Sequence, residues 1–383
     1  MTDRDKRAPA TDCVHAGETQ LPGAMGINTP VVTSTTFDYR EGGVRYPRYV
    51  NALNHEVVAG KIAALEGAQA ARVSASGMGA ISAVFLSLMK PGDHAVILDG
   101  LYGGTTDLVE GLLEPMGMRF TTWNGDPDSL AACFEKNTRL LMVESPTNPL
   151  LSIVDLAATA KIAREHDVVS FIDNTFATPI LQRPIEHGFD LVMHSATKYL
   201  GGHSDLLCGA LAGSTELIER IHPNIVRLGA TLNGQDLALL ERSIKTLAVR
   251  VERASENAAE LARRLDRDPR IAETLYPGLP SHPGHSVAAN QMSGFGGMLT
   301  FRIADSIDPE PFLDRLTMIR PAVSLGGVES TISQPSKTSH AKLSDEKRKA
   351  LGIDDRLMRL SVGIEGVDDL WDDLDRALGG SSL

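Results

Sequence analysis

Between residues 56 and 215, short strand-like runs alternate with stretches of helical period. The runs fall at 95–98, 119–122, 140–144, 168–173 and 191–194, and most are continuously apolar, as in Ala95-Val96-Ile97-Leu98 and Leu140-Leu141-Met142-Val143. An antiparallel sheet with one wet face would alternate polar and apolar residues. Continuous apolar strands separated by helices instead predict a mostly parallel sheet covered on both faces. The helices are expected at 79–89, 106–116 and 154–166, preceded by one that aligns Val58, Ile62 and Leu65 on a single face. In such sheets chemistry gathers beyond the carboxyl ends of the strands. The residues that follow these runs are therefore the first candidates for function.

The chain around this core divides into three expected segments. Residues 1–55 are rich in Gly, Pro and Thr without helical period and read as an extended arm; 56–250 form the large domain and 251–383 a smaller C-terminal α/β domain. Leu237, Leu240, Ile244, Leu247 and Val251 step by three and four and predict one long helix over 237–251. Beyond it, 298–303 and 357–362 read as short strands, and 278–284 as a Pro/Gly/His loop. A chain of 383 residues buries enough surface for two domains. The net charge of −12 argues against nucleic acid as a partner. No run of about 18 apolar residues predicts a membrane span, and the charged start Met1-Thr2-Asp3-Arg4 predicts no signal peptide. Cys13, Cys133 and Cys208 are odd in number and far apart, which suits a reducing cytoplasm; Cys208 reads as a small packed residue. No metal-ligand pattern stands out.

Ser195-Ala196-Thr197-Lys198 follows one predicted strand, and Asp173 ends another. A lysine among small hydroxyls suits an amine that condenses with an aldehyde while the hydroxyls hold a phosphate. A strand-ending aspartate suits an acid that keeps a ring nitrogen protonated. Pyridoxal 5'-phosphate (PLP) needs all three. Ser76-Gly77-Met78-Gly79 precedes a predicted helix and offers N–H groups and a hydroxyl to the same phosphate, although a serine there also serves as a plain N-cap. Tyr102, followed by Gly103-Gly104, is either a ring-stacking aromatic or a turn tyrosine. Asn148 sits between Pro146 and Pro149 in a stiffened loop and suits a hydrogen bond to the phenolic oxygen of PLP, or a simple turn. Arg359 alternates with Leu360 and Val362 on a predicted strand and suits a bidentate grip on a substrate carboxylate.

Taken in order, these segments resemble the cystathionine γ-synthase/γ-lyase family of Cys/Met-metabolism PLP enzymes. The resemblance runs from about Thr29 to Asp369 and is most specific at Tyr46-Pro47-Arg48, Ser76-Gly77-Met78, Leu101-Tyr102-Gly103-Gly104-Thr105, 145–149, 171–175, 195–202, Ser324-Leu325-Gly326-Gly327 and 359–363. It implies an α/β chain of PLP fold type I, aspartate aminotransferase-like. It implies Lys198 as the covalent anchor and proton shuttle, Asp173 on the ring nitrogen and Tyr102 on the ring face. The phosphate would meet Gly77, Met78, Ser195 and Thr197, with Tyr46 and Arg48 reaching it from a neighbouring subunit of a homotetramer. Arg359 would bind the substrate carboxylate, with Ser324 nearby.

Three departures bear on substrate. Gly104 stands where methionine γ-lyases usually carry cysteine. Arg45 stands where many relatives carry an acid, and Asp107 where many carry an arginine, so two charges are exchanged near the expected distal substrate pocket. Arg48-Tyr49-Val50-Asn51-Ala52-Leu53 also replaces the family's common arginine, small residues and Asn-Pro-Thr. The resulting expectation is a cytoplasmic trans-sulfuration enzyme that cleaves cystathionine by β- or γ-elimination. The alternatives are γ-replacement on an acylated homoserine (cystathionine γ-synthase or O-acylhomoserine sulfhydrylase) and an inert PLP-binding protein. The last is told apart by whether substrate changes the spectrum of bound PLP.

Overall fold

The computed structural model of the chain describes residues 7–17, 26–40, 42–341 and 344–380; Met1–Lys6, read above for a leader, lie outside them. A seven-stranded sheet is built from β1 (Ala70–Ser74), β2 (His94–Leu98), β3 (Arg119–Trp123), β4 (Thr138–Glu144), β5 (Val169–Asp173), β6 (Leu191–Ser195) and β7 (Gly209–Gly213), in the spatial order β1-β7-β6-β5-β4-β2-β3. The five strands expected from apolar runs are β2 to β6, and they pair in parallel. β7 is antiparallel to both of its neighbours. The sequence of β7, Gly-Ala-Leu-Ala-Gly, carries no β-branched or aromatic residue, and that is why β-propensity does not reveal it. Its small side chains let the Ser76 loop close over it: a Cβ on Gly209 would lie 2.1 Å from the Ser76 carbonyl oxygen.

The second sheet contains β8 (Ile271–Leu275), β9 (Met298–Ile303), β10 (Arg320–Pro321), β11 (Thr331–Ser333) and β12 (Leu357–Ser361), in the order β10-β11-β12-β9-β8. Phe301 and Leu360 of this sheet, with Phe312 and Leu374 of the helices Pro309–Arg315 and Val367–Ala377, belong to a buried cluster separate from the large core around Phe85, Trp123 and Phe171. Among the described residues, the N-terminal stretch expected to be extended carries a short helix, Pro9–His15, and a single 3-10 turn, Pro47–Tyr49, before the helix Leu53–Glu66 begins. No helix among the described residues is long and apolar enough to cross a membrane.

The helix expected over 237–251 is two helices, Gly234–Ile244 and Leu247–Asp266. All five apolar positions that suggested one helix are buried, so the period survives the break. At the break, the buried Arg250 donates to the Ser243 carbonyl (2.9 Å), which also accepts from Thr246 N and Oγ1 (each 3.2 Å). The same guanidinium donates to the carbonyl of Tyr199 (2.7 Å), directly after Lys198. Gly202 adopts φ +67°, and any Cβ there would overlap Arg250. Sequence period thus missed an arginine that ties a helix break to the loop bearing Lys198. Arg250→Lys removes the planar fork and should lower unfolding free energy by about 1.5–3 kcal/mol. Denaturant melts of the two proteins check this; coincident curves would show that the fork contributes nothing.

Candidate active site

β1, β2, β4, β5 and β6 deliver their carboxyl ends to one edge of the large sheet. After β1, Ser76 caps the helix Gly77–Leu88, its Oγ accepting from Gly79 N at 3.0 Å. The Gly77 Cα lies against β6: a Cβ there would sit 3.1 Å from Ser195 Cβ. The helix start therefore faces Ser195, and its first N–H groups are free of helical partners. Thr197 is held two residues on, with its Oγ1 accepting from Cys208 N at 3.1 Å. Met78 and Tyr102 flank Gly104, where a Cβ would lie 3.3 Å from the Met78 sulfur and 2.6 Å from the Tyr102 ring. In this arrangement the Tyr102 ring occupies the space a cysteine at 104 would need.

Glu144 and Asp173 are register partners at the ends of β4 and β5, and both are buried. Glu144 closes the apolar run 140–144, and it accepts from Tyr102 N through Oε2 and from Asn148 N through Oε1, each at 2.9 Å. Burial and then the neighbouring Asp173 push its pKa up to about 8, against the two N–H donors and Arg359. Asp173 Oδ1 accepts from Thr175 N at 3.0 Å. Burial raises its pKa; Thr175, His194 and Lys198 oppose this. His194 in turn meets the buried Glu66 at 2.5 Å, a pair joined across 128 residues that no local motif announces.

Lys198 Nζ donates to Ser324 Oγ at 2.5 Å. Ser324 holds φ +76°, the left-handed region that a non-glycine residue seldom adopts. Its carbonyl accepts from Arg359 Nη2 at 3.2 Å, and Arg359 Nη1 donates to Asn148 Oδ1 at 2.8 Å. Arg359 lies on β12, so the second sheet contributes its cation to the edge of the first. Arg359 Nε is buried without a partner, an open donor of the kind a carboxylate satisfies. Burial and then Arg359 lower the Lys198 pKa to about 8, with Asp173 opposing.

The structure therefore gathers Ser76, Gly77, Met78, Tyr102, Asn148, Asp173, Ser195, Thr197, Lys198, Ser324 and Arg359. It does not bring the arm residues to the same point. Tyr46 is exposed against the Tyr49 ring, and Arg48 donates to the Val226 carbonyl of its own chain. Arg45 pairs with Glu56 at 3.2 Å, and Asp107 is exposed on the helix Gly103–Leu108.

The donor set fits PLP: an amine held near neutrality, a buried carboxyl beside it, and a helix start facing hydroxyls. Fold and site together define a PLP-dependent enzyme of fold type I. The chain belongs to the family of Cys/Met metabolism PLP-dependent enzymes, whose model matches residues 10–379. It is 42% identical to a cystathionine beta-lyase of Coxiella burnetii over 376 residues, covering 96% of this chain and 97% of that protein. It is 41% identical to a cystathionine gamma-synthase of Mycobacterium leprae over 384 residues, covering 96% of each. The crystal structure of a cystathionine gamma-lyase from Lactobacillus plantarum, complexed with L-serine, superposes with a TM-score of 0.94 at 38% identity, covering 98% of this chain and 99% of that one.

The lowered Lys198 pKa gives a pH prediction. Below about pH 8 the amine is mostly protonated and unreactive; above it the neutral amine dominates. In cofactor-free protein, acylation of Lys198 followed by peptide mass mapping should rise with pH around a midpoint near 8. Arg359→Leu removes a positive neighbour and should move the midpoint upward. A midpoint near that of a free lysine in the unsubstituted protein would refute the assignment.

Proposed function

We propose that this enzyme cleaves the carbon–sulfur bond of cystathionine by β- or γ-elimination, with PLP anchored covalently on Lys198. The observation that carries the reading is the bonded path from Asn148 through Arg359 and Ser324 to Lys198. It links a buried, partly open cation, suited to an amino-acid carboxylate, directly to the reactive amine. Relatives that are cystathionine lyases and synthases support cystathionine as the substrate.

When bound, PLP supplies an electron sink for negative charge at the substrate α-carbon. The chain's own groups have the remaining tasks. Asp173 holds the proton on the ring nitrogen, and Tyr102 covers the ring. Gly77 and Met78 amides, with the Ser76, Ser195 and Thr197 hydroxyls, hold the phosphate. Asn148 offers its amide to the phenolic oxygen. Arg359 binds the α-carboxylate and Ser324 orients Lys198, whose neutral amine moves protons between substrate carbons. Arg45 and Asp107 line the distal pocket.

Tyr46 and Arg48 act on the phosphate of a neighbouring copy, within a homotetramer of dimers that share active sites. The exposed apolar side chains of this arm, Ile27, Val31, Tyr39 and Val44, support a covered rather than a free surface. A cytoplasmic location suits the three free cysteines. Lys198→Ala and Arg48→Ala chains, each impaired alone, should regain part of the activity when mixed and reassembled, because each hybrid dimer contains one intact site. Hybrids that form without recovery would count against sharing.

The deciding experiment is product analysis. Pyruvate with homocysteine signifies β-cleavage, and 2-oxobutyrate with cysteine signifies γ-cleavage. Borohydride reduction should place the pyridoxyl group on Lys198. Asp107→Ala should change the ratio of rates between cystathionine and smaller thiol substrates. The gamma-synthase relatives favour a second reading, γ-replacement. That reading replaces the first if cystathionine is untouched while an acylated homoserine and a thiol give a replacement product.

A further inference from the structure

Glu144 has no task in the chemistry above, although its carboxyl lies at the centre of the site. Its two oxygens serve two different loops. Oε2 accepts the N–H of Tyr102, and Oε1 the N–H of Asn148. Tyr102 is 45% exposed, so packing alone does not hold it; the anchoring of its backbone matters correspondingly more. Asn148 passes its position on, since its Oδ1 holds Arg359, and Arg359 holds the Ser324 carbonyl.

A carboxyl group meets this demand with two oxygens on one short fork. Two converging N–H donors need two acceptor oxygens, whereas a glutamine offers one oxygen and an NH2 that confronts the second donor. The carboxyl is also costly where it stands, buried in register with Asp173. An apolar side chain would avoid that repulsion but would leave the Tyr102 and Asn148 N–H groups without their acceptors.

We propose that Glu144 is a positioning residue of the PLP site: one side chain fixes the backbone of both the ring-facing Tyr102 and the Asn148 that holds Arg359. The proposal rests on the site reading above, and its test is read so that the two fail separately. The visible circular dichroism of bound PLP, recorded without substrate, reports the ring environment. KM reports the carboxylate grip.

In Glu144→Gln holoenzyme the visible dichroic band should change, and KM should rise about tenfold, with a smaller fall in kcat. Glu144→Asp retains both acceptors but lacks the reach, so it should move the same readouts in the same direction; it serves as the second variant if the glutamine form does not fold. A variant with a lowered Tm but an unchanged dichroic band and unchanged KM would overturn the proposal, because Glu144 would then be a structural acceptor only. The substrate reading is judged on the unsubstituted enzyme alone. If that enzyme does not cleave cystathionine, KM is taken with an acylated homoserine, and the dichroism comparison stands as it is.

Discussion

Two buried carboxyls on adjacent parallel strands set the terms for everything around them. Glu144 and Asp173 are register partners, and strands in such a sheet run about 4.8 Å apart. Burial alone resists charging either group, and each charge resists the other. The cations that answer them arrive from distant sequence: Lys198 from the turn after β6, Arg359 from the second sheet. Burial lowers both of their pKa values, Lys198 to about 8 and Arg359 to about 10. Burial thus works against the charged form of every member of the cluster. A lysine amine that is partly neutral near physiological pH follows from this without a dedicated base beside it.

The parts of this arrangement carried by contiguous residues were legible in the sequence. Continuous apolar runs marked β2, β4, β5 and β6 because both faces of those strands are covered. Lys198 and Asp173 stood out because each closes such a run among small polar residues. What the sequence concealed depends on long-range contact. β1 and β7 have too few bulky residues to announce themselves. Glu144 looks like any strand-ending acid until the loops bearing Tyr102 and Asn148 are folded onto it. Arg250 looks like one more charged residue of a helix, and only the folded chain reveals that its guanidinium ends one helix and steadies the turn after Lys198. Period analysis is blind to such a break because the apolar phase continues through it.

The N-terminal arm shows a different limit. Tyr46 and Arg48 were selected by motif, yet within one chain they do not join the cluster. Arg48 rests on the Val226 carbonyl, and Val50 beside it holds φ +56°, an unfavourable conformation for a β-branched residue. A segment with a strained Val50 and several exposed apolar side chains gains little from its own chain. The proposed shared site would cover these side chains with a neighbouring copy.

The division between interior and rim also bears on reaction choice. A lyase and a synthase resemble this chain nearly equally, at 42% and 41% identity over 96% of its length, and on the proposed reading the anchor amine, the ring-nitrogen acid, the phosphate cup and the carboxylate grip serve both chemistries. These groups act on the α-carbon side of the substrate, which elimination and replacement share. The reactions diverge at what leaves or enters at the far end of the side chain, and discrimination there depends on differential stabilisation of competing transition states. The proposed reading assigns that discrimination to charges at the rim. Arg45 already spends its charge on Glu56, at 3.2 Å and with both groups well exposed, where such a pair is worth about 0–1 kcal/mol. So weak a pairing is readily exchanged for a substrate carboxylate that arrives with its own binding energy. On the proposed reading, specificity rests on these loosely held rim charges, while the tightly bonded interior serves elimination and replacement alike.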